Sequence, residues 1–426
     1  MSRWIVRAAA AICAAGYVFV YASGRTGPPI RSDGFSYYVY LPSWFIYHDT
    51  SLAAVAQDCC GGQFPDFTAI IRWPGTRRWV NAHPIGVAIM QTPFFLVAHA
   101  LTRWSNLSAD GFTFYYQHAA GVAGLAWIIA GLWVLRRLLL RHFPDTIVAA
   151  TLAAVLFGTN LLHYATYDSS YSHPYSFFLF AAFLDLTERW HHQPAWRTSL
   201  LLGLVGGLIV LVRHTNALFL VFFPLYGVTS AATMRVTVAR LRRHWQLVAA
   251  AVASVVITVA PQLALYHQAT GRSIVSSYGE FGFNFLAPQL WGVLFSVQKG
   301  VFFWSPILLL AVAGLAMTRG AARGFLLPAA LFLTVNTYLI ASWFDWQFGG
   351  SFGHRGFVDA LPVFAIGLAS LFSRAASSPA ARAAVISVCA VLIALSVFQM
   401  LQYWNGVLPF SDTTWPQYRA AFLRLK

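Results

Sequence analysis

The stretch whose reading decides the fold is Ile85–Leu101, IGVAIMQTPFFLVAHAL. It is apolar and about the length needed to cross a hydrocarbon core of roughly 30 Å. Arginines come before it, at Arg3 and Arg7. Others follow in short gaps between apolar runs, as Arg136-Arg137, Arg240/Arg242/Arg243, Arg319/Arg323 and Arg374/Arg382. If Ile85–Leu101 crosses with the N-terminus inside, every later cluster faces outward. If it lies along the interface, all of them face the cytoplasm, and more of the 28 Lys and Arg residues lie inside. That is what short loops are expected to do. Crossing with the N-terminus outside satisfies the later clusters but fails at Arg3 and Arg7. The interfacial reading is preferred. It leaves residues 23–113 as one long outer loop with two surface helices, near 35–48 and 85–101.

Outward from there, apolar runs of spanning length recur to the end of the chain. The expected spans are 4–22, 114–135, 146–164, 174–190, 199–212, 215–230, 245–265, 304–318, 325–341, 357–372 and 383–401. The fold class is all-α and polytopic, a single transmembrane domain over 1–426 with about eleven transmembrane helices. Composition agrees. The 426 residues are 58% hydrophobic and 10% charged, against roughly 25% charged in soluble domains. The first run is read as an uncleaved helix rather than a signal peptide, being long enough to span and followed by many more spans. A net charge of +15 would suggest nucleic acid in a soluble chain. Here it follows topology and anionic head groups, so the expected partners are membrane lipids and no nucleic acid. The four cysteines make no disulfide framework: Cys13 and Cys389 lie in apolar runs, and Cys59 and Cys60 are adjacent. No Cys/His zinc spacing appears. Further outer loops are expected at 266–303 and 342–356, with a short polar tail at 402–426. Polar chemistry therefore gathers on the outer face.

The loop after the first helix opens with Arg31-Ser-Asp33-Gly-Phe-Ser-Tyr37-Tyr38-Val-Tyr40-Leu-Pro42. Asp33 is the first acid in the chain. An acid held at a membrane interface among aromatic rings has reason to be functional. It is equally readable as an N-cap for the helix starting near Gly34. The residues alone leave both readings open.

This segment resembles the first outer loop of the C-type glycosyltransferase superfamily, which includes protein mannosyltransferase-like and aminoarabinose transferase-like enzymes that use polyprenyl-phosphate sugars. Other stretches resemble bacterial members in order along the chain: Asn81-Ala-His83-Pro84-Ile-Gly86, Phe157-Gly-Thr-Asn160, Ser172-His173-Pro174-Tyr175-Ser176, Val212-Arg213-His-Thr-Asn216, Tyr278-Gly-Glu280-Phe-Gly-Phe-Asn284 and Gly349-Gly-Ser-Phe-Gly-His354-Arg355. The resemblance implies a plasma-membrane enzyme with its site on the extracytoplasmic face. It implies that Asp33 is the base that deprotonates or orients an acceptor hydroxyl. A lipid phosphate is already a good leaving group, so the paired carboxylates of a glycoside hydrolase are not demanded. The expected donor is a polyprenyl-phosphate-linked sugar and the acceptor a glycan or lipid-linked molecule. One departure stands out. Many members carry two adjacent acids where this chain has Asp33-Gly34, which weakens a metal role at that point.

Cations that would steady the departing phosphate are sought in Arg213, Lys299, His354 and Arg355. An Arg between two short spans needs a partner or a wet cavity, and a phosphate would serve. Loop arginines at head-group level and snorkelling lysines are the plainer readings. For His354 and Arg355, an ion pair with Asp345 or Asp359 is an equal alternative. His83, Tyr37 and Glu280 are further candidates for donor contacts. Asp168 and His173 are candidates for the acceptor. With Asp33 they are also weighed as a divalent-metal set, since hard cations favour carboxylates; no other cofactor is indicated. Two rival functions share the same features. A transporter or flippase of lipid-linked sugars would show internal repeats and broken helices at the midplane, and no repeat is visible. An O-antigen ligase or polymerase would be expected to lean on Arg and His without an early Asp.

Overall fold

The computed structural model describes residues 1–275 and 281–425. In chain order it begins with α1 (Ser2–Ala22), α2 (Asp33–Tyr38), α3 (Tyr40–Phe45) and α4 (Ala53–Cys60), then a hairpin of β1 (Ile70–Arg72) and β2 (Trp79–Asn81). Helices α5 (Gly86–Trp104), α6 (Phe114–Leu139), α7 (Asp145–Phe157), α8 (Leu161–Thr166), α9 (His173–His192) and α10 (Trp196–Val212) follow. A 3₁₀ segment, His214–Val221, continues into α11 (Phe222–Leu225), and then come α12 (Ala231–Arg243) and α13 (Trp245–Thr270). The rest comprises α14 (Leu290–Phe295), α15 (Val301–Trp304), α16 (Ile307–Ala316), α17 (Leu326–Ser342), α18 (Leu361–Ala375), α19 (Pro379–Trp404) and α20 (Trp415–Ala421).

The protein is mostly helical, and among the described residues five segments are long and apolar enough to cross a membrane: Ser2–Ala22, Phe114–Leu139, Trp245–Thr270, Gly320–Ser342 and Pro379–Trp404. Their outward flanks are apolar as well. Ile257 on α13 is 72% exposed and Val391 on α19 is 66% exposed. Contiguous apolar surface of this kind suits a hydrocarbon solvent rather than water.

Two polar ends organise the helices. At one, the Met1 amine meets Asp145 at 2.6 Å. Arg141 bridges Asp185 at 2.7 Å and Glu188 at 2.6 Å, and Arg137 also pairs with Asp185. The Tyr226 hydroxyl donates to Glu188 at 3.3 Å. At the other end lie the pairs Arg31–Asp168 (2.7 Å), His173–Asp359 (2.9 Å) and Arg355–Asp33 (2.7 Å). α1 runs from the Asp145 pair to Tyr21, whose hydroxyl donates to the Tyr167 carbonyl. α9 runs the opposite way, from His173 to the Glu188 cluster.

α5 behaves differently. Its first residue abuts the Leu211–Val212 backbone beside Arg213. Its later half returns to the first turn of α6, where His99 meets the Tyr116 hydroxyl at 2.6 Å. Both ends of α5 therefore sit at the Asp33 end.

Several features depart from the sequence reading. The long loop 23–113 contains a small antiparallel hairpin, with Ile71 opposite Val80. Each strand is only three residues long, too short to show an alternating pattern. The turn between them, Trp73-Pro74-Gly75-Thr76, carried the readable signal. Cys59 and Cys60, expected unpaired, are joined as a vicinal disulfide at the end of α4. The expected span 146–164 divides at Gly158, between α7 and α8. The short polar tail, expected outside the membrane, packs back on the body in a way the expectation left open: Gln402 Nε2 donates to the Ala421 carbonyl at 2.6 Å, and Ala421 is buried.

Asp185 is fully buried with its cations more exposed. Arg141 serves both buried acids: its removal leaves Asp185 with Arg137 and Arg189 but takes from Glu188 its arginine, a loss of up to about 3–5 kcal/mol for a buried pair. Arg141→Leu should therefore lower the thermal unfolding midpoint in detergent strongly. Removal of the exposed Asp145 partner by Asp145→Asn should lower it much less.

Candidate functional site

The turn between α8 and α9, residues 167–172, is the floor on which the site is built. α2 lies against it from one side and α6 from the other. A Cβ on Gly34 would come within 2.3 Å of Ser170 Oγ, and one on Gly124 within 1.7 Å of the Ser169 carbonyl oxygen. Gly34 therefore fits a close approach, and a second acid in its place would push the Ser170 hydroxyl off its hydrogen bond to the Pro29 carbonyl. The residue before Asp33, Ser32, is held at φ 47° and ψ −132°, a strained conformation for a non-glycine residue.

Asp33 opens α2 but does not cap it. Its carboxylate accepts from Arg355 at 2.7 Å. Arg355 arrives from a 3₁₀ turn, Arg355–Phe357, following the Gly349–Gly353 loop. Burial works to raise the Asp33 pKa; Arg355 first, then His83 and His173, outweigh it and hold the carboxyl below its ordinary value. Against the cost of burial, the same carboxylate raises the pKa of Arg355.

Two further clusters flank this pair. In one, Trp404 Nε1 donates to His163 Nδ1 (2.9 Å), His163 Nε2 donates to Asp168 (2.8 Å), and Asp168 accepts from Arg31 (2.7 Å). Burial opposes ionisation of Asp168, but Arg31 and His163 pull its pKa to about 2. In the other, Asp359 is the hub. It takes His173 Nδ1 at 2.9 Å, Asn216 at 3.1 Å and Arg213 at 3.4 Å.

The sheet hairpin and Asn81 place His83. The Asn81 side chain accepts from the His83 amide at 2.9 Å and donates to the Ser36 carbonyl at 2.7 Å, tying it to α2. The Tyr37 ring stands edge-on to His83, centroids 4.5 Å apart. Burial pushes the His83 pKa down to about 4, with Asp33 opposing.

Two cavities meet at Asp33. The first, about 420 Å³, is floored by Asp33, Tyr37, His83, His173 and Arg213 and walled by apolar side chains such as Leu339, Ile340 and Phe348. The second, about 750 Å³, is lined by Arg31, Asp168, Tyr167, Tyr171, Tyr403 and four loop glycines, with no aliphatic side chain among the described residues. Asp33, Asp345 and Arg355 border both.

The sequence candidates thus fall into three groups. Asp33, Tyr37, His83, His173, Arg213 and Arg355 converge on the first cavity, and Asp168 faces the second. Lys299 and His354 line neither. Lys299 is buried and its Nζ donates to the Ser351 carbonyl and, at 2.8 Å, to the Phe410 carbonyl. It ties together two loops behind the second cavity. Burial, with Arg355 nearby, pushes its pKa down to about 7. His354 is wedged between Phe348 and Phe357, and burial with the Lys299 charge pushes its pKa to about 3. Glu280 lies outside the described residues. Arg355 pairs with Asp33 rather than with Asp345 or Asp359. Asp33, Asp168 and His173 each take a different protein partner, and among the described residues no three acidic, His or Cys side chains could hold a metal ion. Asp359 was missed as a site residue. Its signal was an acid inside an apolar run, which needs a partner.

No family model and no curated protein matches this chain.

The Lys299 contacts give a direct test. Lys299→Met leaves the buried Ser351 carbonyl without its donor, at a cost of about 1–3 kcal/mol. A lowered unfolding midpoint, together with faster proteolysis of the 349–353 loop, is the expected result. An unchanged loop would show the two carbonyl contacts to be dispensable.

Proposed function

We propose that the protein is a membrane glycosyltransferase that moves a sugar from a polyprenyl-phosphate donor to a hydroxyl acceptor. The observation that carries this reading is that one carboxylate–guanidinium pair, Asp33–Arg355, borders two differently lined cavities. The first combines apolar walls with Arg213 and the imidazoles of His83 and His173, which suits a lipid phosphate. The second combines tyrosines with the pairs Arg31–Asp168 and Arg355–Asp33, which suits the hydroxyls of a glycan. A single displacement joins the two. The acceptor oxygen forms a bond to the anomeric carbon as the bond from that carbon to the phosphate oxygen breaks, and the lipid phosphate leaves with the electron pair. The acceptor proton passes to Asp33. With its pKa held low, Asp33 is a weak base: it orients the hydroxyl first and takes the proton late, as the attacking oxygen becomes acidic. Arg213 and Arg355 are placed to meet charge growing on the phosphate.

The same reading assigns eleven passes, made by α1, α6, α7, α9, α10, the 214–225 segment, α13, α16, α17, α18 and α19. It lays α5 along the outer interface, since both its ends sit at the Asp33 end. That end then faces outward, and the Arg-rich loops face the cytoplasm.

Transfer of labelled sugar from a panel of polyprenyl-phosphate donors tests the proposal. Asp33→Asn should lower turnover by roughly a hundred- to ten-thousand-fold while the variant stays folded. Retained turnover would remove Asp33 from the chemistry. Asp33 must be ionised, so activity is lost as pH falls through its lowered pKa. Arg355→Gln removes the strongest influence lowering that pKa, so the acid limb of the pH profile should move to higher pH.

A further inference from the structure

The helix ends farthest from Asp33 hold a cavity that the proposed reaction does not use. It measures about 460 Å³ and is lined by Arg319, Arg323, Arg374, Met317, Thr318 and Leu326 among others. It sits where α16 ends, where the Gly320–Phe325 turn leads into α17, and where α18 ends. The frame is firm: Gly314 abuts the Gly367 backbone, and the Thr318 and Ser370 hydroxyls lie 3.1 Å apart. α17 runs from Leu326 for roughly 20 Å at the helical rise before it borders the first cavity at Leu339 and Ile340. The two sites are therefore on opposite ends of the bundle.

Three exposed guanidiniums line one small space, and an anion between them would relieve the repulsion that water screens only in part. Among the described residues, none of the three is in an ion pair. The carboxylates at this end, Asp145, Asp185 and Glu188, are engaged by Met1, Arg136, Arg137, Arg141 and Arg189. Helix dipoles account for part of the arrangement. Arg374 lies in the last turn of α18 and Arg319 just beyond α16, where cations are favoured. Arg323 is the exception. It lies before the N-terminus of α17, where the dipole disfavours a cation and favours an anion. Beside the cavity, Met317 and Leu327 are 42% and 40% exposed, offering apolar surface next to the charge.

We propose that this cavity binds the phosphate of an anionic phospholipid headgroup in the leaflet at that end, with the acyl chains lying along Met317 and Leu327. The assignment is independent of the glycosyltransferase reading.

The test uses the full-length protein in mixed micelles. Bound lipid is counted by native mass spectrometry, and the unfolding midpoint is followed against phosphatidylglycerol, phosphatidylcholine or inorganic phosphate. Phosphatidylglycerol should be retained and should raise the midpoint, and phosphatidylcholine should do neither. The triple variant Arg319→Gln/Arg323→Gln/Arg374→Gln should lose apparent affinity by on the order of a hundredfold, each Arg contributing on the usual scale for anionic surfaces. A control triple on α12, Arg235→Gln/Arg242→Gln/Arg243→Gln, should keep it. Equal loss in both triples would mean bulk charge alone, and equal protection by inorganic phosphate would mean a free-anion site. Either result overturns the proposal, as does indifference to the lipid. If the triple variant does not fold, Arg323→Gln alone, read by native mass spectrometry, decides it.

Discussion

A charge set among apolar helices must find its opposite within the protein, and that constraint shapes both ends of this molecule. Isolated charges in such surroundings are costly, and removing one partner of a buried pair strands the other. At one end, Asp185 and Glu188 draw in arginines from α6 and the loop after it, and the N-terminal amine reaches Asp145. At the other, three carboxylates take three different cationic or imidazole partners drawn from distant parts of the sequence. The helices between them are held in register by pairs at each end.

The two ends use the constraint differently. The Asp185 cluster closes on itself. The Asp33–Arg355 pair does not: Asp33 and Arg355 are partly exposed, and each borders two cavities. A pair that is held but still reachable keeps its carboxylate ionised while leaving it open to a hydroxyl. Asp168 and Asp359 lie behind it, each fixing neighbours: Arg31 and His163 in one case, His173 and Arg213 in the other. Lys299 serves the site at one remove, by holding the loops that wall the second cavity.

Much of this was legible in the sequence, and for physical reasons. Apolar runs mark helices that have no water to face, so the all-α class and most helix positions follow from hydropathy alone. Asp33, Arg213 and Arg355 stand out because charges beside such runs need an account. What could not be read is the pairing. Nothing in the local sequence links Arg355 to Asp33 or Asp359 to His173, because those contacts are made by packing across the bundle. Gly34 reads as a missing acid until the Ser170 side chain is seen against it. The hairpin escaped because its strands are too short to alternate. The Cys59–Cys60 bond escaped because adjacency argued against it.

The most direct measurement is a cryo-electron-microscopy map of the protein in a lipid nanodisc with a non-transferable polyprenyl-phosphonate sugar bound. The account predicts the phosphonate in the first cavity, within ion-pairing distance of Arg213 or Arg355, and the sugar beside Asp33. Density for the headgroup elsewhere, with Asp33 walled off from it, would contradict the account.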